Sequence, residues 1–321
     1  MYIDEVGETY AYNFGQLGCQ VRYVKATESP LGDTFFFDLD NIKQFNKSYL
    51  SKLMEKLSAF HHRYFTFVDT KISHFAMFSR KEQSTLNLAE IFTKNAINIG
   101  KDINGQIVSV DFKKAPHLLI AGTTGSGKSV LIHNLLVNIL NYYGSKQQLI
   151  IIDPKGSELP MYRNVRNATF VGSDTQKAIS VLQQCEKIMD DRYRNGGYYH
   201  HEIFIVVDEL ADLMLTSHYE VEQSLVRIAQ KGRAVGMHII IATQSPRVQI
   251  ISGLIKANFE YRIVLKTTSV RESVVALDHK GSETLQGRGD CYVKLGLEEK
   301  HCQIAYVDNN LETRIINTYG Y

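Results

Sequence analysis

The segment that most constrains this chain is Gly122-Thr123-Thr124-Gly125-Ser126-Gly127-Lys128-Ser129, which matches G-x-x-x-x-G-K-[ST]. Leu118, Leu119, Ile120 and Ala121 precede it as a short apolar strand. Val130, Leu131, Ile132, Leu135, Leu136, Ile139 and Leu140 follow at helical spacing as far as Gly144. Strand, glycine turn and helix in that order describe a phosphate-binding loop. Gly122, Gly125 and Gly127 let the backbone curl, so that N–H groups from Gly122 through Thr123, Thr124 and Ser126 to Val130 can converge on one anion. The helix dipole points at the same place. Lys128 adds a full charge toward the β and γ phosphates, and the Ser129 hydroxyl is placed to ligate Mg²⁺.

At 321 residues the chain can hold one large domain or two, and 44% hydrophobic with 22% charged residues describes an ordinary soluble protein. A net charge of +2 is too small to announce a nucleic-acid partner by itself. Cys19, Cys185, Cys291 and Cys302 lack C-x-x-C spacing, which suggests free thiols in a reducing cytosol rather than a metal site. The first residues are acidic and no apolar run approaches the ~20 residues of a membrane span, so a cytoplasmic protein without a signal peptide is expected.

Residues 1–98 suggest a small α/β domain. Strands are expected near 20–25 and 34–39, a helix carrying Leu50, Leu53, Met54, Leu57 and Phe60 over 47–61, and apolar stretches at 63–68 and 74–78. The aromatics here suit core packing better than base stacking. Asn104-Gly105 predicts a two-residue hairpin that opens a second domain, residues 99–321. That domain alternates strands with helices, the pattern of a mainly parallel sheet covered on both faces. Strands are expected at 149–153, 168–171, 203–207, 238–242, 261–265, 291–295 and 303–307. Ser173 with Gln176 suggests a capping box for a helix ending at Asn195, and a further helix carries Val221, Leu225, Ile228 and Ala229.

Asp208 and Glu209 follow an apolar strand, at the carboxyl edge where ligands of open parallel sheets gather. An aspartate there can hold Mg²⁺, and a glutamate one residue on can polarise the water that attacks the γ-phosphate. The competing reading is an acidic pair that merely caps the next helix. Gln244 leaves the next strand on the same edge and could sense the γ-phosphate. Asp153 and Lys155 end another strand, where a plain turn explains Pro154 equally well. A glutamate beside the strand-end aspartate favours an ATP-driven motor over a GTP switch. Such motors use an arginine from a neighbouring subunit, and Arg233, Arg262, Arg271 and Arg288 are the candidates.

The segments PHLLIAGTTGSGKS (116–129), IDPK (152–155), VDELADLM (207–214), AQKGRA (229–234), ATQSP (242–246), SGLIKAN (252–258), GSETL (281–285) and GRGD (287–290) closely resemble the motor of the FtsK/SpoIIIE DNA translocases. The order of elements in residues 1–100 is similar to the small α domain that precedes the family's RecA-like domain. The resemblance implies a RecA-like P-loop fold and a homo-hexameric ring that hydrolyses ATP with Mg²⁺ at subunit interfaces and pulls double-stranded DNA through its centre. By motif, Lys128, Ser129, Asp208, Glu209 and Gln244 keep the roles argued above. Arg233 becomes the foremost candidate for the finger, and Arg247 and Lys256 become candidates to face the pore. Six copies of a few inward cations would make a positive channel whatever the whole-chain balance. The family's membrane anchor, linker and winged-helix γ domain are not in these residues. The expectation is therefore a stand-alone motor of a plasmid, conjugative element or phage, with any sequence reading or membrane tethering delegated to another protein. Two other readings stay open: a related motor that moves protein, as in type VII secretion, and a non-motor module that uses ATP to gate DNA binding.

Overall fold

The computed structural model describes residues 2–39, 47–61, 65–71, 74–80 and 85–320. Expectations that rest on residues 63–64, or on the Phe60 side chain, lie outside the described ones. The chain divides into two compact units, residues 1–85 with 101–106, and residues 86–100 with 107–321. The larger unit thus begins earlier than the boundary expected at 98, because Leu86, Leu88, Ile91 and Ile97 are buried in its core.

The smaller unit orders its elements as α1 (Tyr2–Gln16), β1 (Val21–Glu28), β2 (Gly32–Leu39), α2 (Lys47–His61), β3 (Phe65–Lys71) and β4 (His74–Arg80). The strands form an antiparallel sheet in the order β1-β2-β4-β3. Tyr10 and Phe14 of α1 meet Phe35, Phe37, Phe75, Leu50, Leu53, Met54 and Leu57 in one buried cluster, so the dense aromatics do serve packing. The α1 helix is legible only in retrospect. Ile3, Val6, Tyr10 and Phe14 share a face, but two glycines dilute the helical signal. Gly7 is needed there, since a Cβ would fall 2.2 Å from the Tyr23 ring that crosses the helix.

In the larger unit, β5 (Ile97–Asp102), β6 (Ile107–Val110), β7 (His117–Ala121), β8 (Gln147–Ile152), β9 (Ala168–Val171), β10 (Glu202–Val207), β11 (Met237–Thr243), β12 (Tyr261–Leu265), β13 (Asp290–Leu295) and β14 (Glu298–Ile304) form one sheet. The order is β6-β5-β14-β13-β12-β7-β11-β10-β8-β9, and the six strands from β12 to β9 are parallel. Alternate residues of each central strand feed opposite cores. Leu118, Ile120, Leu149 and Ile151 pack beneath α3 (Lys128–Tyr143), whereas Leu119, Ile150 and Ile152 pack toward α4 (Thr175–Arg194) and α5 (Leu210–Lys231). Burial on both faces is why these strands read as unbroken apolar runs. The helices α6 (Gly253–Asn258), α7 (Val270–Leu277) and α8 (Asn309–Tyr319) complete the unit. Among the described residues no helix is long and apolar enough to cross a membrane.

Three local expectations are corrected. The cap of α4 is Asp174, which accepts the Lys177 N–H, so Ser173 lies one residue too early. The Asn104-Gly105 turn is a three-residue loop, with Gly105 at φ 75° and the Asp102 carboxylate accepting the N–H groups of Asn104 and Gln106. The last strand is Glu298–Ile304 rather than 303–307, since Gly296 at φ 59° closes a tight hairpin between β13 and β14.

Two titratable groups, the buried His117 and the partly buried Glu312, make the larger unit acid-sensitive. Burial pushes the His117 imidazole down to about 3, helped by the nearby His238 and opposed by a backbone hydrogen bond at Ala229. Desolvation tends to raise the Glu312 carboxyl, but the hydrogen bond and charge of His133, with the Tyr162 hydroxyl, hold it below 4.5. This trio ties α8 to α3, with His133 Nδ1 2.6 Å and Tyr162 Oη 2.7 Å from Glu312 Oε1. Both groups bind fewer protons folded than unfolded, so stability rises with pH through their windows. The His117 contribution is complete above the ordinary histidine value of ~6.5 and is lost as pH falls toward 3. Glu312 adds a loss below 4.5. Melting temperature is expected to fall steadily from pH 7 to 4, and His117→Asn should flatten the part above pH 5. A wild-type melting temperature unchanged between pH 7 and 5 would contradict this.

Candidate nucleotide site

Parallel register brings the ends of four strands to one edge. Val207 of β10 lies beside Ile152 of β8 and Ile241 of β11, and Thr243 of β11 lies beside Ala121 of β7. The residues that follow these strands, Asp153, Asp208, Gln244 and Gly122, therefore share that edge.

The glycine loop is held by its neighbours at several backbone points. Gly122 N–H donates to Thr243 O at 3.1 Å, Thr123 N–H to Lys266 O at 2.9 Å, and Ser126 N–H to Thr123 O at 3.0 Å. Gly125 at φ 76° and Gly127 at φ 104° take the left-handed turns for which glycine was required. Gly127 caps α3, so the N–H groups of Lys128, Ser129 and Val130 open the helix at the loop.

Lys128 is buried, and its Nζ donates at 2.8 Å both to Asp208 Oδ1 and to the Asp208 carbonyl. Two of three ammonium donors are thus occupied and one is available to a ligand. Asp208 Oδ2 is also buried and has no hydrogen-bond partner. An orphaned carboxylate oxygen here, with Ser129 in the first turn of α3, suits a hard cation that takes its other ligands from substrate phosphates and water. Mg²⁺ fits this donor set.

Glu209 is an N-cap residue of α5, but its bond to Ala211 N–H is long at 3.4 Å. Stronger contacts hold it from β11: Thr243 Oγ1 donates to its Oε1 at 2.9 Å, and Gln244 N–H lies 3.1 Å from its Oε2. Gln244 also reaches the glycine loop, where its Oε1 accepts from Thr124 Oγ1 at 3.0 Å. Strand β11 therefore links the expected base to the phosphate loop. Capping and catalysis are not exclusive for Glu209.

The remaining candidates separate clearly. The Asp153 carboxylate accepts the N–H groups of Gly156, Glu158 and Leu159, so it organises its own loop, and Lys155 is exposed. Arg233 is exposed at the opposite end of the seven-residue β11, roughly 20 Å of extended strand from the site. It cannot serve its own subunit's loop. Arg262 is buried and bonded to Asp278 Oδ2 at 2.7 Å and to the Phe259 carbonyl, a structural role. Lys256 pairs with Asp278 at 2.6 Å. Arg247 is exposed on the rim of a groove of about 650 Å³, with Leu215, Val248, Arg271 and Val275 among its lining. Arg288 sits beside the glycine loop, its N–H donating to Gly125 O. Sequence reasoning reached this loop only through Arg288 as one of four candidate fingers and through a family motif; two glycines flanking one residue before a strand were the signal for its tight approach.

The FtsK/SpoIIIE family model matches residues 91–195 and 199–248, which hold the loop, Asp208, Glu209 and Gln244. Over these residues the chain is similar to the FtsK/SpoIIIE family. DNA translocase FtsK of Caldanaerobacter subterraneus subsp. tengcongensis is 44% identical over 213 residues, covering 61% of this chain and 30% of that protein. DNA translocase FtsK of Campylobacter jejuni is 42% identical over 229 residues, covering 63% and 24%. The chain thus spans 24% to 30% of the length of these relatives. Among solved structures, the pCW3 conjugation coupling protein TcpA, a monomer form with ATPγS, superposes with a TM-score of 0.69 at 19% identity over 97% of this chain and 98% of that one. The cytoplasmic domain of the Thermomonospora curvata type VII secretion ATPase EccC gives 0.61 at 23% identity, covering 70% and 30%. These likenesses show the shared P-loop ATPase fold, and the similarity to the FtsK/SpoIIIE family supports ATPase activity.

Proposed function

We propose that the chain is an ATP-driven motor for double-stranded DNA, working as a homo-hexameric ring in the cytoplasm, in the service of a mobile element or phage. The observation that carries this reading is the coupled constellation of Lys128, Asp208, Glu209 and Gln244, lying in the segment shared with DNA translocases. In the proposed cycle the loop N–H groups and Lys128 bind the phosphates, and Glu209 polarises the attacking water from a position fixed by Thr243 and Gln244. Bound Mg²⁺ at Asp208 and Ser129 supplies charge neutralisation on the phosphates. Arg233, remote from its own site, completes the site of the adjacent copy. The larger unit forms the motor, and the smaller unit is the small domain that precedes it. Sequence reading or tethering falls to a separate protein.

The test is ATP turnover with and without linear duplex. The expected result is stimulation of at least about tenfold, an order of magnitude chosen to exceed non-specific electrostatic effects. Turnover indifferent to duplex would favour a protein substrate, and negligible turnover under all conditions an ATP-gated binding module.

The paired cations make a finer prediction about DNA. Arg247→Ala should weaken duplex binding and lower the salt slope by about one contact per subunit engaged. Lys256→Ala should leave both almost unchanged, because Asp278 already engages its ammonium. Equal losses in titrations at several salt concentrations would contradict the assignment.

A further inference from the structure

The turn that carries Arg233 joins α5 to β11, and side chains from the end of α4 grip it on both sides. Before Arg233, Tyr193 Oη donates to Lys231 O at 2.6 Å. After it, Arg192 Nη1 donates to Val235 O at 2.5 Å and reaches Gly236 O at 3.4 Å. The other arm of the same guanidinium, Nη2, donates to His201 O at 2.7 Å. Arg192 Cζ stands 5.0 Å from the centre of the Tyr199 ring. That ring in turn abuts the end of the turn, where Gly236 takes φ 68°. A Cβ on Gly236 would fall 2.3 Å from the Tyr199 ring and 2.6 Å from Glu202 Oε2. Ile203 N–H donates to Gly236 O at 2.8 Å and ties the same point to β10.

Arg233 itself stays out of this network. It is exposed, and its side chain makes no hydrogen bond or ion pair among the described residues. Arg227 and Arg262 are instead held by carboxylates, of Glu186 and Asp190 and of Asp278. Capping α5 explains the Lys231 bond alone, because Val235 and Gly236 lie beyond that helix. A backbone fixed on both sides of an unpaired guanidinium is what a group reaching into another subunit needs, since ~1 Å of misplacement can cost about 10²-fold in rate. We infer that Arg192 and Tyr193 are positioning residues for the finger: they set where the Arg233 guanidinium stands when it enters the site of the adjacent copy. The inference rests on the trans role of Arg233 proposed above.

The test measures ATP turnover with duplex for wild type, Arg233→Ala, Arg192→Lys and Tyr193→Phe, with melting temperature and titration of a fluorescent ATP analogue in parallel. Lysine keeps the charge at 192 but loses the fork that spans Val235 O and His201 O. Phenylalanine removes only the hydroxyl of the exposed Tyr193, so that variant still reports should Arg192→Lys prove unstable. Arg233→Ala should abolish turnover. Arg192→Lys should lower kcat by about 10- to 100-fold, and Tyr193→Phe by a few-fold, with KM and analogue affinity unchanged. Each variant is then mixed with Glu209→Gln subunits. Turnover should return in every mixture, because some interfaces pair an intact Glu209 with an intact turn. Loss that appears in KM, or that tracks a lowered melting temperature in both variants, makes the two residues structural and overturns the inference. Mixtures that stay silent overturn it too, since the defect would then lie in the variant's own site. Full turnover in Arg192→Lys and Tyr193→Phe beside an inactive Arg233→Ala overturns it while sparing the finger, and an active Arg233→Ala overturns both.

Discussion

Glu209→Gln is expected to lower ATP turnover by about 10²- to 10⁴-fold, the range for loss of a positioned general base, while leaving nucleotide affinity within a factor of a few. The separation follows from the geometry. Glutamine preserves volume, and its carbonyl oxygen can replace Oε1, which accepts Thr243 Oγ1 and lies 3.2 Å from Gln244 N. Its amide nitrogen then occupies the Oε2 position, which faces the Gln244 N–H at 3.1 Å and would place two donors together. The variant therefore loses basicity and loosens the link from β11 through Gln244 to Thr124, but leaves the phosphate loop and Lys128 intact. Single-turnover kinetics and ATPγS titration on one preparation would check it. Turnover within tenfold of wild type would remove Glu209 from the mechanism.

Lys128→Ala should do more than abolish nucleotide binding. Lys128 and Asp208 are 4% and 1% exposed, and their ion pair is closed at 2.8 Å. Removing the ammonium leaves a buried carboxylate whose Oδ2 already lacks a partner, a loss of about 3–5 kcal/mol for a broken buried pair. For a unit of this size that corresponds to roughly 10 °C in melting temperature. Adding Asp208→Asn removes the uncompensated charge and should restore most of the stability without restoring binding. The double-mutant cycle thus separates the two consequences of one lysine. A single variant as stable as wild type would mean that Asp208 is held by something other than Lys128.

The phosphate loop, its helix and the Asp208-Glu209 pair were legible because each is a short-range pattern: apolar strand, turn chemistry, then a residue type that suits an anion or a cation. What joins them was not legible. The Glu209 bonds to Thr243 and Gln244 depend on β10 and β11 being adjacent and in a particular register, and the bonds to Thr123, Gly125 and Ser126 come from segments about 140 to 165 residues further along the chain by number. The pairing of Lys256, a candidate to face the pore by resemblance, was not legible for the same reason, since only the fold brings Asp278 to it. Asp153 resembled a catalytic strand end until its three N–H donors identified it as a loop organiser. The α1 helix was missed because propensity around Gly7 and Gly15 opposes what the aromatic core of the small unit enforces. Tertiary contacts decided each of these.

Displacement of a triplex-forming oligonucleotide from linear duplex tests the central claim most directly. The account predicts ATP-dependent displacement with a delay that lengthens in proportion to the duplex between entry point and triplex, and none with Glu209→Gln. Displacement that needs no hydrolysis, or active ATP turnover on duplex with no displacement at any distance, would contradict it.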